Sequence, residues 1–414
     1  MTPPLSVNRP ERLRTSAGVH TGLDVLVAEG FQRLRGRRLG AIANPTSVDR
    51  RMRHLADLLQ QAPGVTLVAL FGPEHGVRGY TQDMVGVASE ATDPRTGVPV
   101  FSLYGSDPAS LSPTADQLSG IDTLVFDIQD VGSRYYTFAT TMLYAMQAAA
   151  QAGVRLMVLD RPNPLGGEVV EGPSLQPAFA SFVGPHPIPI RHGLTVAELA
   201  ALYRCALRLD LDLEVVACQG LRPSMLWADT NLPWVMPSPN MPTPETALLY
   251  PGGCLVEGTN LSEGRGTTRP FALWGAPWLD PYRLADRIGE APGVILRPCG
   301  FRPTFHKHAG QLCYGIEPII VEPHAVRSLA LYTRFLAAAR EQDPDRFSWR
   351  TEPYEFVSDR LAIDLLFGSD RERQAIESGH PDDLDACFEA WTAHEAAFRD
   401  VRQEFLMYEW CVNI

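Results

Sequence analysis

The segment Val65-Thr-Leu-Val-Ala-Leu-Phe-Gly-Pro-Glu-His-Gly76 joins a short apolar run to a turn that carries two ionisable residues. A short apolar run that is bounded by glycine and proline predicts a buried β-strand. Open α/β sheets bind their ligands in a crevice beyond the carboxyl ends of the strands. Glu74 and His75 are therefore predicted to lie at the edge of an active site.

Three further apolar runs in the first half of the chain end in polar residues in the same way. They cover residues 38–43, 121–126 and 154–159, and they lead into Asn44, into Asp127 and Asp130, and into Asp160 and Asn163. Segments with helical spacing lie between the runs, at 54–62 and at 138–152, where Gly153 supplies a helix stop. This alternation predicts right-handed βαβ units and a parallel sheet, and we expect the four polar strand ends to face one crevice.

The chain of 414 residues is longer than one hydrophobic core usually serves, so two domains are expected. The alternating pattern weakens after about Thr246, and we predict a larger domain over 20–248 and a smaller α+β domain over 250–414. Residues 250–270 are rich in glycine, hydroxyl and charged residues with little periodicity. A loop of this kind between domains is interpreted as the wall of a cleft, with a solvated linker as the alternative.

Composition narrows the class of protein. A formal net charge of −12 and a pI near 5.3 argue against broad attraction to nucleic acid or to an anionic membrane. No run reaches the roughly 18 apolar residues of a membrane span. The first residues also lack the apolar core of a secretory signal, which predicts a cytoplasmic protein, or an exported one if a leader is missing from this sequence.

Several motifs of metal and cofactor sites are incomplete. The seven cysteines are odd in number and show no C-x-x-C spacing, which predicts reduced thiols and a reducing compartment. His306 and His308 have no third histidine or cysteine nearby. The segment 264–269 begins like a dinucleotide fingerprint but lacks its last glycine, and no P-loop or G-x-S-x-G occurs. We therefore predict neither a metal nor a cofactor.

Six motifs together resemble one known family, the peptidoglycan exo-β-N-acetylmuramidases of the NamZ type, formerly a domain of unknown function. They are GAIANPT at 40–46, LFGPEHGVRG at 70–79, FDIQDVG at 126–132, LDRPNP at 159–164, PSPNMP at 237–242 and EGTNLSEGRGTTRP at 257–270. The resemblance covers nearly the whole chain. It implies a Rossmann-like N-terminal domain, a smaller C-terminal domain, a cleft between them, and release of N-acetylmuramic acid from the non-reducing end of peptidoglycan fragments or muropeptides.

Glycoside hydrolysis usually needs a carboxylic acid for the leaving oxygen and a second group for the charge that develops at the anomeric carbon. We predict Glu74 as the acid; the alternative is a turn cap or an ion pair with Arg78. Asp130 is the predicted second group, with Asp127 beside it, although aspartates after strands commonly cap helices. Glu257 and Glu263 are candidates from the opposite wall. A 2-acetamido sugar also allows its own amide oxygen to act as the nucleophile.

N-acetylmuramic acid carries a lactyl carboxylate, for which an arginine fork is the natural partner. Arg265 is the first choice and Arg78 another; a salt bridge from Arg265 to Glu263 or Glu257 is the alternative. Further substrate-binding predictions are side chains that donate or accept hydrogen bonds or stack on a sugar: Asn44, His75, Tyr136, Asn163, Asn240 and Asn260. A sugar-binding module without chemistry, or an amidase acting on the same fragments, remains the alternative function.

Overall fold

The computed structural model describes residues 18–79 and 92–408. Six parallel strands form the main sheet, and their order β3-β2-β1-β4-β5-β8 is that of a Rossmann-like fold. These strands are β1 (Arg38–Ala43), β2 (Thr66–Gly72), β3 (Val100–Ser102), β4 (Thr123–Asp127), β5 (Arg155–Leu159) and β8 (Leu213–Val216). A small antiparallel pair is formed by β6 (Glu171–Ser174) and β7 (Pro189–Arg191). The predicted parallel sheet is confirmed.

Helices cover both faces of this sheet, as a parallel sheet requires. The apolar residues of α1 (Gly22–Ala28) and α2 (Leu55–Gln61) pack on one face, and those of α4 (Phe138–Ala152) and α5 (Val196–Ala206) pack on the other. The one-turn α3 (Ala115–Leu118) precedes β4. Helix α4 covers the predicted residues, and Gly153 ends it with a φ of 66°, a left-handed conformation that glycine adopts without steric cost.

The second part of the chain is a smaller α+β domain, as predicted. Its sheet is antiparallel with the order β10-β11-β9. The elements are α6 (Pro244–Gly253), β9 (Trp274–Ala276), α7 (Pro281–Ile288), β10 (Val294–Phe301), β11 (Cys313–Ile320), α8 (Ser328–Gln342), α9 (Ala362–Phe367), α10 (Arg371–Ser378) and α11 (Pro381–Arg402). Among the described residues no helix is both long and apolar enough to cross a membrane.

The two domains share one hydrophobic core. A single cluster of buried residues runs from the α4 face of the parallel sheet into α6, α8 and α9. Helix α11 returns to the N-terminal domain and packs against β6 and β7. Arg134 is 1% exposed, and its guanidinium donates to backbone carbonyls of both domains, at Pro173, Ile188, Leu366 and Phe367. The cleft between the domains therefore has walls that are fixed to one another.

Candidate functional site

A small cavity of about 50 Å³ lies where the two domains meet, beyond the carboxyl end of β2. The N-terminal domain lines it with the turn after β2 and with the segment that leads into α4. The C-terminal domain lines it with the glycine-rich loop and with the residues before α9. Its polar and ionisable lining residues are Glu74, His75, Tyr135, Tyr136, Thr137, Ser238, Tyr250, Glu257, Arg265, Tyr354 and Glu355.

Glu74 is held in this cavity by the turn that the opening segment predicted. The turn closes with a hydrogen bond from the amide of Gly76 to the carbonyl of Pro73, and His75 has a φ of 70°. The hydroxyl of Thr137 donates to Oε2 of Glu74 at 2.9 Å. Thr137 is also the N-cap of α4, and the amino end of a helix favours a nearby negative charge. The carboxyl group is buried, with 9% exposure, yet it faces the cavity.

Arg265 enters the cavity from the opposite wall and is held by two acids. Its Nη2 donates to Oε1 of Glu257 at 2.5 Å, and its Nε lies 3.4 Å from Oε1 of Glu263. The hydroxyl of Tyr354 donates to the other oxygen of Glu257 at 2.7 Å. The guanidinium also lies 5.0 Å from the ring centre of Phe271. The salt bridge that the sequence offered as an alternative to substrate binding exists, and it leaves Arg265 in the cavity lining.

Glu263 lies behind Arg265 and not in the lining. Its carboxylate is 2.9 Å from Nζ of Lys307 and 3.0 Å from Nδ1 of His306. Although burial works against the charge, these cations hold the pKa of Glu263 far below its ordinary value. Glu263 is therefore a fixed negative charge that orients Arg265. His306 is therefore already paired with Glu263. Within the described residues, no group of three or more His, Cys, Asp and Glu side chains could hold a metal ion.

Tyr136 belongs to an aromatic wall of the cavity. Its ring makes edge contacts with Phe138 and Tyr250 at 5.0 and 5.5 Å between centroids. Burial raises the pKa of the Tyr136 hydroxyl well above its ordinary value, so the group stays neutral. Ser238, from another of the six motifs, also lines this part of the cavity.

Glu355 was not predicted from the sequence, and the structure brings it into the same cavity as Glu74. Its Oε2 accepts a hydrogen bond from the hydroxyl of Tyr104 at 2.9 Å. Burial, and next to it the negative charge of Glu74, raise the pKa of Glu355 to about 8. The sequence analysis relied on turns that contain glycine or asparagine after apolar runs. The segment around Glu355 contains neither residue, so no such motif marks this position.

Five other residues with predicted roles make internal contacts outside the cavity lining. Arg78 pairs with Asp93 and Asp57, so the predicted alternative of a pair with Glu74 is not seen. Asn44 bonds Thr46 in a tight turn, and Asp127 pairs with Arg161 at 2.6 Å. Asn163 bonds Leu165 and Leu194, and Asn260 bonds Arg346 and Ser348. The expectation that four polar strand ends face one crevice is therefore wrong. Of these polar residues only Glu74 and His75, after β2, line the cavity; those described here after the other strands contact nearby backbone or partner charges instead.

Asp130 and Asn240 are buried and also lie outside the lining. Oδ2 of Asp130 accepts from the amide of Gly132 at 2.7 Å, while its Oδ1 has no partner among the described residues. Burial raises the pKa of Asp130 to about 7. Glu257 and Glu355, and not Asp130, share the cavity with Glu74, and of these two Glu257 is paired with Arg265.

Raised carboxyl pKa values make stability depend on pH. Burial raises the pKa of Asp130 and of Glu171 to about 7, and that of Glu355 to about 8. The native state then binds more protons than the unfolded state up to about pH 8, so the free energy of unfolding falls as pH rises through this range. We expect the midpoint of urea unfolding to be lower at pH 8.5 than at pH 6.5, and Asp130→Asn to reduce the difference.

The comparison is made above pH 6.5 because two buried histidines act in the opposite direction below it. Burial lowers the pKa of His54 to about 4 and that of His192 to about 3, so their contribution to stability grows as pH rises towards the ordinary histidine value. An unfolding midpoint that is unchanged or higher at pH 8.5 would contradict this assignment of neutral buried acids.

Comparison with known proteins agrees with this arrangement. Residues 39–245 match the family described as exo-beta-N-acetylmuramidase NamZ, N-terminal, and residues 248–408 match its C-terminal counterpart. The chain is 42% identical over 394 residues to the peptidoglycan beta-N-acetylmuramidase NamZ of Bacillus subtilis (strain 168), covering 94% of this chain and 91% of that protein.

Two crystal structures of DUF1343 family proteins from Bacteroides fragilis NCTC 9343 have the same fold. One has a TM-score of 0.86 at 34% identity and covers 95% of this chain and all of its own. The other has a TM-score of 0.71 at 28% identity, with coverage of 94% and 99%. With both family halves matched in order and a curated relative aligned along nearly its full length, the chain belongs to the NamZ family of exo-β-N-acetylmuramidases.

Proposed function

We propose that this protein is a glycosidase that removes N-acetylmuramic acid from the non-reducing end of peptidoglycan fragments. The observation that carries the proposal is a cavity between the two domains that Glu74 lines with a carboxyl group from one side and Arg265 lines with a guanidinium from the other. Membership of the NamZ family supports the same activity.

Glu74 protonates the leaving oxygen of the glycosidic bond. Its position in a buried turn keeps water away, and the hydroxyl of Thr137 fixes its orientation at 2.9 Å. Proton donation in the transition state is needed because a sugar alkoxide is a poor leaving group. Tyr136 and Tyr250 supply the apolar and hydroxyl-bearing wall against which the sugar ring packs.

Arg265 recognises the lactyl carboxylate that distinguishes N-acetylmuramic acid from N-acetylglucosamine. Its guanidinium is oriented by Glu257 and Glu263, so little side-chain freedom is lost when the substrate binds. Lysine keeps the charge but offers no planar fork. We expect Arg265→Lys to lower the preference for muramic over glucosamine glycosides by about 10- to 100-fold, the worth of about one charge-assisted hydrogen bond.

Arg269→Lys is the matched control for this variant, because Arg269 is in the same loop but its side chain is 42% exposed and pairs with Glu317. The measurement is kcat/KM for paired aryl glycosides of the two sugars. A preference that survives in Arg265→Lys would move recognition of the carboxylate to another cation.

The function itself is tested by release of chromophore from aryl β-glycosides of N-acetylmuramic acid and N-acetylglucosamine. We expect hydrolysis of the muramic substrate alone, with free N-acetylmuramic acid as the product from glycan fragments. Binding without turnover would favour a binding module, and release of peptide in place of sugar would favour an amidase.

We further propose that the enzyme acts in the cytoplasm on imported wall fragments, as a step of cell-wall recycling. The six cysteines among the described residues are all free thiols, which suits a reducing compartment. Fractionation of the cells that naturally produce the protein tests this, and enzyme found outside the cytoplasm would contradict it.

A further inference from the structure

The residues that present Glu355 to the cavity form an unusual turn. Tyr354 and Val357 exchange two backbone hydrogen bonds of 2.9 Å, so that Glu355 and Phe356 are the two central residues of a tight hairpin. Their φ values are 45° and 68°, both left-handed, which is the pattern of a type I′ turn. Such turns strongly favour asparagine and glycine because other residues pay a steric cost there. Here the turn holds a glutamate and a phenylalanine.

Contacts on both sides hold this strained turn in place. The ring of Phe356 meets Tyr104 and Phe182 of the N-terminal domain edge-on, at 5.7 and 6.2 Å between centroids. Tyr354 is anchored to Glu257. A backbone conformation that costs energy and is fixed by its surroundings is a common feature of functional sites. This turn places the carboxyl group of Glu355 in the cavity that Glu74 also lines.

The charges around Glu355 make the two glutamates a coupled pair. Glu74 and Glu257 face Glu355 as like charges, Arg350 is the nearby cation, and Tyr104 donates the hydrogen bond already described. Two carboxyl groups that repel each other in a buried site do not both ionise, and their titration belongs to the pair. With its pKa raised to about 8, Glu355 holds a proton at neutral pH, and the reactive form of the pair is the one in which this proton has moved to Glu74. Hydrolysis needs this combination of one acid and one base.

We propose that Glu355 is the second catalytic carboxyl group of this cavity, which takes a proton from the attacking water while Glu74 protonates the leaving oxygen. The inference rests on the proposed glycosidase function. The bond between the anomeric carbon and the leaving oxygen breaks, and its electron pair stays on that oxygen with the proton from Glu74. The water oxygen bonds the anomeric carbon and gives its proton to Glu355. Glu74 has then lost one proton and Glu355 has gained one, so the number of protons on the two glutamates is unchanged.

Glu355→Gln tests the role of the carboxylate with little change in shape. We expect kcat/KM of this variant on an aryl N-acetylmuramide to be at least about 100-fold lower than that of the wild type. This is the lower end of the range for loss of an acid or base catalyst. Added azide, a small anion that needs no deprotonation, should restore turnover and give a glycosyl azide as product. Glu352→Gln is the matched control, since Glu352 is exposed three residues earlier in the same segment.

Glu355→Asn separates catalysis from folding. Asparagine favours the left-handed turn conformation, so this variant should unfold at the temperature of the wild type or above it and still be inactive. Hydrolysis within tenfold of the wild type in Glu355→Gln would overturn the proposal. A loss of activity that azide does not restore would also overturn it, because the role would then be structural. Absence of activity in the wild type would instead contradict the proposed function.

Discussion

Glu74→Gln should lower hydrolysis of a disaccharide with N-acetylmuramic acid at its non-reducing end by about 10³-fold, within the range that loss of a general acid costs. The amide keeps the size of the side chain and still accepts the hydrogen bond from Thr137. It has no proton of suitable acidity for the leaving oxygen. The bond that must break then releases an unprotonated sugar alkoxide, which raises the barrier.

Substrates with different leaving groups distinguish loss of acid catalysis from other losses of activity. A dinitrophenyl glycoside releases a stable anion that needs no proton, so the variant should retain most of its activity on that substrate. The measurement is the ratio of kcat/KM on the two substrates in Glu74→Gln and in Glu168→Gln, an exposed glutamate outside the cavity. Equal losses on both substrates would show that Glu74 is not the acid.

Much of the fold could be predicted because the main strands are nearly continuous apolar runs. Residues 38–43 were predicted as a strand and form β1, and the runs before Asp127 and Asp160 form β4 and β5 with small shifts. The strands that pattern reasoning missed are short: β3 has three residues and β8 has four, partly exposed. Runs of three or four residues are too short to show an alternation of apolar and polar residues. Their conformation is decided by their pairing with neighbouring strands of the sheet.

The site was harder to predict because the same residue types serve as ligands and as local caps. Glu74, His75, Tyr136, Glu257 and Arg265 do meet in one cavity. Polar residues after the other strands also looked like site residues, but they bond nearby backbone or partner charges. Nothing in a strand-end pattern separates the two outcomes.

Glu355 illustrates the opposite difficulty. The turn that carries it lies in an irregular segment between α8 and α9, far along the chain from Glu74. Its type I′ geometry is set by contacts of Tyr354 and Phe356 with the two domains, against the local preference of Glu355 and Phe356. Local sequence reasoning fails where tertiary contacts override local preference, and such places are often functional.

Arg134→Met should destabilise the whole protein, although Arg134 does not line the cavity. The guanidinium of Arg134 donates to four backbone carbonyls at the junction of the two domains. Burial lowers its pKa only to about 10, so it remains charged at neutral pH. Methionine fills much of the volume but donates no hydrogen bond to these buried carbonyls, of which only that of Ile188 keeps another donor, the amide of Leu175. We expect a loss of at least about 3 kcal/mol in the free energy of unfolding.

Arg269→Met is the matched control, because it removes an arginine whose exposed side chain makes only a surface ion pair, at 3.6 Å from Glu317. Such pairs contribute about 0 to 1 kcal/mol, so its urea midpoint should stay near that of the wild type. Arg134→Met should unfold at a clearly lower urea concentration, and loss of activity should follow loss of structure. An unchanged midpoint together with a raised KM would contradict this structural role and indicate that Arg134 binds substrate. A fixed junction matters for the chemistry because Glu74 and Glu355 belong to different domains, and only a shared, rigid core keeps two such carboxyl groups in one cavity.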